Sequence, residues 1–271
     1  MQALKTIDDW GAGHATAGVT RADEVLGLRG PAERVFRWAS VTKLATAVAV
    51  LTAVEEGVVE LDEPAGPPGA TVRHLLAHAS GLPFEGEEPI GQPGERRIYS
   101  NTGFEQLGHL VAERAETAFA EYVDAAVFTP LEMSDTQLEG SPAADAFGPL
   151  TDLLRLAQEL LAPTLLAAET LAEATSVVFP GLGGVLPGIG RQEPMDWGLG
   201  FELKDAKEPH WTGTKNSPQT FGHFGGSGTF LWVDPALGLA CACLTDRDFG
   251  DWALEAWPAL SDAVCAEAAA A

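Results

Sequence analysis

The chain has 271 residues, and its 39 acidic and 16 basic side chains leave a formal net charge of −23, while apolar residues make up 46%. A surface of that sign repels phosphate backbones and anionic membranes, so nucleic acid is excluded as an expected partner, and the apolar fraction excludes a disordered chain. No stretch reaches the roughly 18 uncharged apolar residues of a membrane span, no basic segment leads into an apolar one at the start, and three cysteines without framework spacing suit a reducing compartment; a cytoplasmic globular protein is expected.

Residues 14–19 and 25–28 read as an amino-terminal β-hairpin. Ser40-Val41-Thr42-Lys43 then opens a run in which, from Leu44 to Val54, only Thr46 and Thr52 are polar, and Glu55-Glu56-Gly57 supplies the stop. The pattern predicts a helix from near Ser40 to near Gly57, apolar on every face and therefore internal. A short helix is expected over Thr71 to His78, stopped by Ser80-Gly81-Leu82-Pro83, and an exposed acidic loop over 84–97. Thr102-x-x-Glu105 reads as a capping box, which puts Tyr99, Ser100 and Asn101 on the loop before a helix striped with Phe104, Leu107, Leu110 and Val111.

Residues 119–176 read as mostly helical, and the glycine- and proline-rich 180–194 as a flexible connection. The apolar period then changes to that of strands over Trp197–Leu203, Gly228–Val233 and Leu239–Thr245, and a last helix starts near Asp251 with Pro258 inside it. Cys241 and Cys243 share one strand face and read as small buried hydrophobes; a zinc site there would need further ligands nearby. The expected fold is α+β: an antiparallel sheet flanked by helices, built from 1–64 and 195–271, with 65–194 as a mostly helical insertion and the active site between the two parts.

At about 1.5 Å rise per residue, Ser40 and Lys43 lie one turn apart and can touch. A serine hydroxyl needs a neighbour to take its proton, and a lysine kept neutral by burial can serve. Lys43 is the only lysine between Lys5 and Lys204, and Tyr99 and Asn101 take one each of the two tyrosines and two asparagines. A phenol beside a lysine can share its proton, and an asparagine amide can hold both the lysine and a substrate. His223-Phe224-Gly225-Gly226, placed just before a strand, offers a close backbone approach and a second oxyanion amide at Gly226, with His223 donating from the pocket edge. Each piece alone reads as readily as ordinary structure.

Together, S-x-x-K, Y-x-N and H-x-G in this order resemble the serine β-lactamase and penicillin-binding-protein family, closest to its class C branch, which includes DD-peptidases and serine esterases. The segments His74 to Pro83, Pro130 to Thr136, Trp197 to Phe201 and Gly222 to Thr229 carry the likeness from about residue 14 to 247. The resemblance implies a β-lactamase/transpeptidase-like fold, Ser40 as acylated nucleophile, Lys43 as its proton partner, Tyr99 as the general base, Asn101 on both the lysine and the substrate, His223, Gly225 and Gly226 on the substrate, and neither metal nor cofactor. Penicillin-recognising members usually carry Lys-Thr-Gly on the strand. His223-Phe224-Gly225 lacks both the cation and the hydroxyl that hold a substrate carboxylate, which moves the expectation toward a small ester or amide and away from a lactam. A true β-lactamase or DD-peptidase, and a non-hydrolytic binding member, are the alternatives, and the oligomeric state is open.

Overall fold

The computed structural model describes residues 1–270. A 3-10 helix over Ala3–Asp9 leads into the hairpin β1 (Ala15–Thr20) and β2 (Val25–Arg29), the short β3 (Phe36–Arg37), the helix α1 (Thr42–Glu55) and α2 (Val72–Leu76). Next come α3 (Asn101–Ala115), α4 (Phe119–Val123), a π-helical turn over Asp124–Phe128, the short strands β4 (Gln137–Leu138) and β5 (Ala146–Gly148), α5 (Leu150–Leu161) and α6 (Ala168–Ala174). The chain ends with β6 (Gly184–Leu186), β7 (Gly190–Gln192), β8 (Glu202–Leu203), β9 (Phe221–Gly225), β10 (Thr229–Asp234), β11 (Leu239–Thr245) and α7 (Asp251–Ala269).

Six strands form one antiparallel sheet in the order β2-β1-β11-β10-β9-β8, so the two ends of the chain meet where Ala15 pairs with Thr245. Period-2 alternation gives the sheet two apolar faces. Ala240, Ala242 and Leu244 of β11 join a core with α1 and α5, while Leu239, Cys241 and Cys243 join a second core with Trp257, Leu260 and Val264 of α7. Helix α5 lies across β1, β10 and β11. Gly18 makes room for it, since a Cβ there would fall 2.7 Å from Leu154 Cδ1. Helix α1 is buried on all sides from Thr42 to Leu51, because its uniformly apolar surface gains about 1.5–3 kcal/mol for each large side chain kept from water. The fold is the β-lactamase/transpeptidase-like arrangement of helices around an antiparallel sheet.

Four local expectations are corrected. The helix cap is Ser100, whose hydroxyl accepts the Gly103 N–H at 2.9 Å and donates to Pro83 O; Asn101 is therefore the first helical residue, and Thr102 lies inside the helix. In Trp197–Leu203 only Glu202 and Leu203 join the ladder. The preceding residues turn instead, because Gly200 adopts φ +90° against α1, where a Cβ would meet that of Ala47 at 2.3 Å. The connection 180–194 holds the β6–β7 hairpin, paired from Gly184–Gln192 to Leu186–Gly190. His223, Phe224 and Gly225 lie within strand β9 rather than before it.

Candidate active site

Ser40 sits in a 3-10 turn, Ala39–Val41, immediately before α1. Trp38 anchors that turn: its indole donates to Gly148 O, its amide to Ala146 O, and its carbonyl accepts from Thr229 Oγ1 at 2.8 Å. Ala39 is held at φ +47°, a conformation that costs a residue with a Cβ and that this packing imposes one position before the serine. The end of β9 can reach the turn only because Gly225 is a glycine; a Cβ there would lie 2.5 Å from Trp38 O. No polar partner for the amides of Ser40 and Gly226 is found among the described residues, and both residues line one cleft of about 170 Å³.

Lys43 is fully buried, and its Nζ lies 2.7 Å from Asn101 Oδ1, 2.8 Å from Ala143 O and 3.4 Å from Ser40 Oγ. Burial holds its pKa well below the usual lysine value, with the Glu105 carboxylate pulling weakly the other way. A neutral amine has two hydrogens and one lone pair. The two close acceptors use the hydrogens, and the lone pair is left for the serine hydroxyl.

Tyr99 is buried, with its phenol pKa raised by desolvation and partly offset by a hydrogen bond with Ser40. Lys43 Nζ lies 4.8 Å from the Tyr99 ring centroid. His223 does not offer a proton to the cleft, contrary to expectation. Its Nδ1 lies 2.7 Å from Phe224 O and donates there, which leaves Nε2 as an acceptor 3.4 Å from the Tyr99 hydroxyl. Burial, with Lys43 close by, lowers its pKa to about 3, so the ring is neutral near pH 7. Phe224 lines the cleft and packs its ring against Phe249 and Trp257.

Ser40, Lys43, Tyr99, Asn101, His223, Gly225 and Gly226 thus converge. Several groups with no signature of their own complete the arrangement. The carbonyl of Ala143 reaches Lys43 from a loop 100 residues away. His78 Nδ1 accepts the Ser100 N–H and its ring packs 4.6 Å from that of Tyr99, so His78 holds the loop that carries Tyr99. Arg97 ends a stretch expected to be exposed, yet it is buried and donates to the carbonyls of Ala77, Val178, Phe179 and Met195. Glu202 lines the cleft from β8; burial would raise its pKa, but His210 and Lys207 more than offset this and hold it at about 2. Among the described residues no group of three or more histidine, cysteine, aspartate or glutamate side chains is arranged to hold a metal ion, and no helix is long and apolar enough to cross a membrane. Cys241 and Cys243 are buried, and their thiol pKa values are raised by it.

Among solved structures, the crystal structure of a beta-lactamase from Mycobacterium bovis superposes with a TM-score of 0.97 at 52% identity, covering 98% of this chain and 99% of that one. Esterase EstB of Burkholderia gladioli is 26% identical over 90% of this chain and 86% of its own length. A penicillin-binding protein of Bacillus subtilis is also 26% identical, but the match spans only 38% of this chain and 30% of that protein. The family model described as Beta-lactamase matches residues 9–264. With that match running over nearly all of its length, the chain belongs to the beta-lactamase family of serine hydrolases.

Proposed function

We propose that Ser40 is acylated by small carboxylic esters or amides that carry no carboxylate of their own. The observation that carries the chemistry is the placement of Lys43 Nζ, where Asn101 Oδ1 and Ala143 O take both hydrogens of a neutral amine and leave its lone pair for the serine. Ser40 Oγ attacks the carbonyl carbon as its proton passes to Lys43 Nζ, and the amides of Ser40 and Gly226 receive the oxyanion. Tyr99, a neutral phenol, gives its proton to the leaving oxygen or nitrogen and regains one from the Lys43 ammonium. Water then attacks the acyl-enzyme, its proton going to the Lys43–Tyr99 pair, and Ser40 is regenerated.

The preference for a substrate without a carboxylate rests on the charges that line the inner cleft. Neither lysine nor arginine lines it, His223 is neutral and tied to Phe224 O, and the Glu202 carboxylate is taken up by its pairing with Lys207. A penicillin or a D-alanyl peptide would bring its own carboxylate to a site with no cation to receive it. The names of the M. bovis and B. subtilis proteins favour the lactamase or peptidase reading, and that of EstB favours the ester. Turnover of p-nitrophenyl acetate and butyrate is expected to exceed that of nitrocefin by at least tenfold in kcat/KM. Nitrocefin hydrolysis at a comparable rate would mean that β9 still holds a carboxylate, and the substrate assignment would fall.

The acid limb of the pH profile should report Lys43, since only its neutral form accepts the serine proton. The Glu105 carboxylate stabilises the ammonium, so Glu105→Gln lowers the pKa further. The limb of kcat/KM should move to lower pH, and below the wild-type limb the variant should be the faster enzyme. Ser141 donates to the Glu105 carboxylate at 2.9 Å and can donate equally to the amide oxygen that replaces it. A limb shifted to higher pH would rule out neutral Lys43 as the base.

A further inference from the structure

Beside the cleft lies a second, larger groove of about 760 Å³ between the 84–98 loop and the β6–β7 hairpin. Phe84, Tyr99 and Pro187 line both spaces, so the groove lies directly beside the cleft. The outer groove is apolar along Phe84, Ile90, Ile98 and Val185. Three of these side chains stay open to solvent, Phe84 at 50%, Ile90 at 56% and Val185 at 58%, and they are three of the eight large apolar residues exposed among the described residues. An apolar lining left uncovered and set beside a reactive centre fits a ligand group better than chance surface exposure.

The groove's walls are held in place. Ile90 N–H donates to Gly81 O at 2.9 Å, Phe84 O accepts from the Asn101 amide at 2.9 Å, and the Phe84 ring stacks on Tyr99 with centroids 5.9 Å apart. Across from them, Arg97 N–H donates to Gly183 O beside the hairpin, and Gly184 can approach because it has no side chain; a Cβ would meet Arg97 O at 2.7 Å. Its charged residues are largely engaged: Arg191 pairs with Glu193, Arg96 donates to Ile90 O, and the Arg97 guanidinium is spent on buried carbonyls.

We propose that this outer groove binds the unbranched alkyl chain of an ester whose carbonyl sits at Ser40, so that the enzyme prefers medium-chain esters to acetates. The proposal rests on the ester reading above and specifies which esters. Each methylene drawn into the groove should raise kcat/KM by up to about fourfold. Two substrate series identify the side of the ester that enters: p-nitrophenyl esters from acetyl to decanoyl vary the acyl chain, and acetate esters from ethyl to octyl vary the alcohol, both kept below their micellar concentrations.

A rise with length in either series, flattened in Ile90→Asp and Val185→Asp while ethyl and p-nitrophenyl acetate are turned over as in the wild type, is the expected result. Both positions are exposed, so the variants should fold normally. Series that are flat or fall from acetate onward, or variants that keep the wild-type slope, would overturn it. Ser40→Ala titrated with ethyl octanoate and ethyl acetate, followed by tryptophan fluorescence, separates the two readings. Tighter octanoate binding without wild-type turnover would retain the groove and reject the esterase; acetate turnover without tighter octanoate binding would do the reverse.

Discussion

Ser40→Ala is expected to lower kcat on p-nitrophenyl butyrate by about 10⁴-fold or more, because it removes the atom proposed to form the acyl bond and leaves only binding and oxyanion stabilisation. The fold should not notice. Ser40 is half-buried, its hydroxyl meets Lys43 at 3.4 Å and Tyr99, and the turn that carries it is anchored through Trp38. The unfolding midpoint should stay within about 2–4 °C, the equivalent of roughly 1 kcal/mol in a chain of this size. Intact mass of wild type quenched during turnover should show an added butyryl group, absent from the variant. A folded variant that keeps a tenth of the activity would mean that another group is the nucleophile and that the geometry around Lys43 has been misread.

Lys207→Met should destabilise the protein by about 3–5 kcal/mol, the usual cost of leaving a buried charge without its partner. The side chains of Lys207 and Glu202 are each 1% exposed and meet at 2.7 Å. Lys207 also donates to the carbonyls of Asp196 and Leu203, while Glu202 accepts from the Trp211 indole at 3.0 Å and meets His210 Nε2 at 2.9 Å. Removing the ammonium therefore strands one carboxylate and two carbonyls beside the catalytic cleft. At about 2–4 °C per kcal/mol the melting temperature should fall by roughly 10 °C, and adding Glu202→Gln should recover part of the loss. A loss under about 1 kcal/mol would show that water or rearrangement relieves the site.

The same pair makes the fold acid-sensitive in a defined window. The Glu202 carboxyl is held at about 2 in the folded protein against an ordinary value of 4.5. Its stabilisation is thus complete above about pH 4.5 and is lost as the pH falls from there through 2.

Much was legible because it is local. The apolar run after Lys43 could only be an internal helix, and the alternation of Leu239–Thr245 reappears as β11 with the same bounds. The motifs around Ser40, Tyr99 and His223 carried the family without any contact being known. Failures came where a tertiary contact outweighed a short-range pattern. Thr102-x-x-Glu105 has capping-box spacing, but Ser100 takes the cap because Pro83 O and the Gly103 N–H both reach its hydroxyl. Trp197–Leu203 alternates like a strand, but Gly200 must pass against α1.

By itself, the sequence determined the strands β10 and β11, the buried helix behind Ser40 and the family, since each of these depends on residue type and spacing. Only the tertiary structure decided which hydrogens and lone pairs the side chains of the site present. The Ala143 carbonyl on Lys43 has no side-chain signature at all. The tautomer of His223 follows from the carbonyl of Phe224, and the charge on Glu202 from a lysine and a histidine in the loop that follows β8. Protonation in a buried site is set by burial and by the exact placement of neighbours near and far in the chain, and both exist only once the sheet and helices have packed.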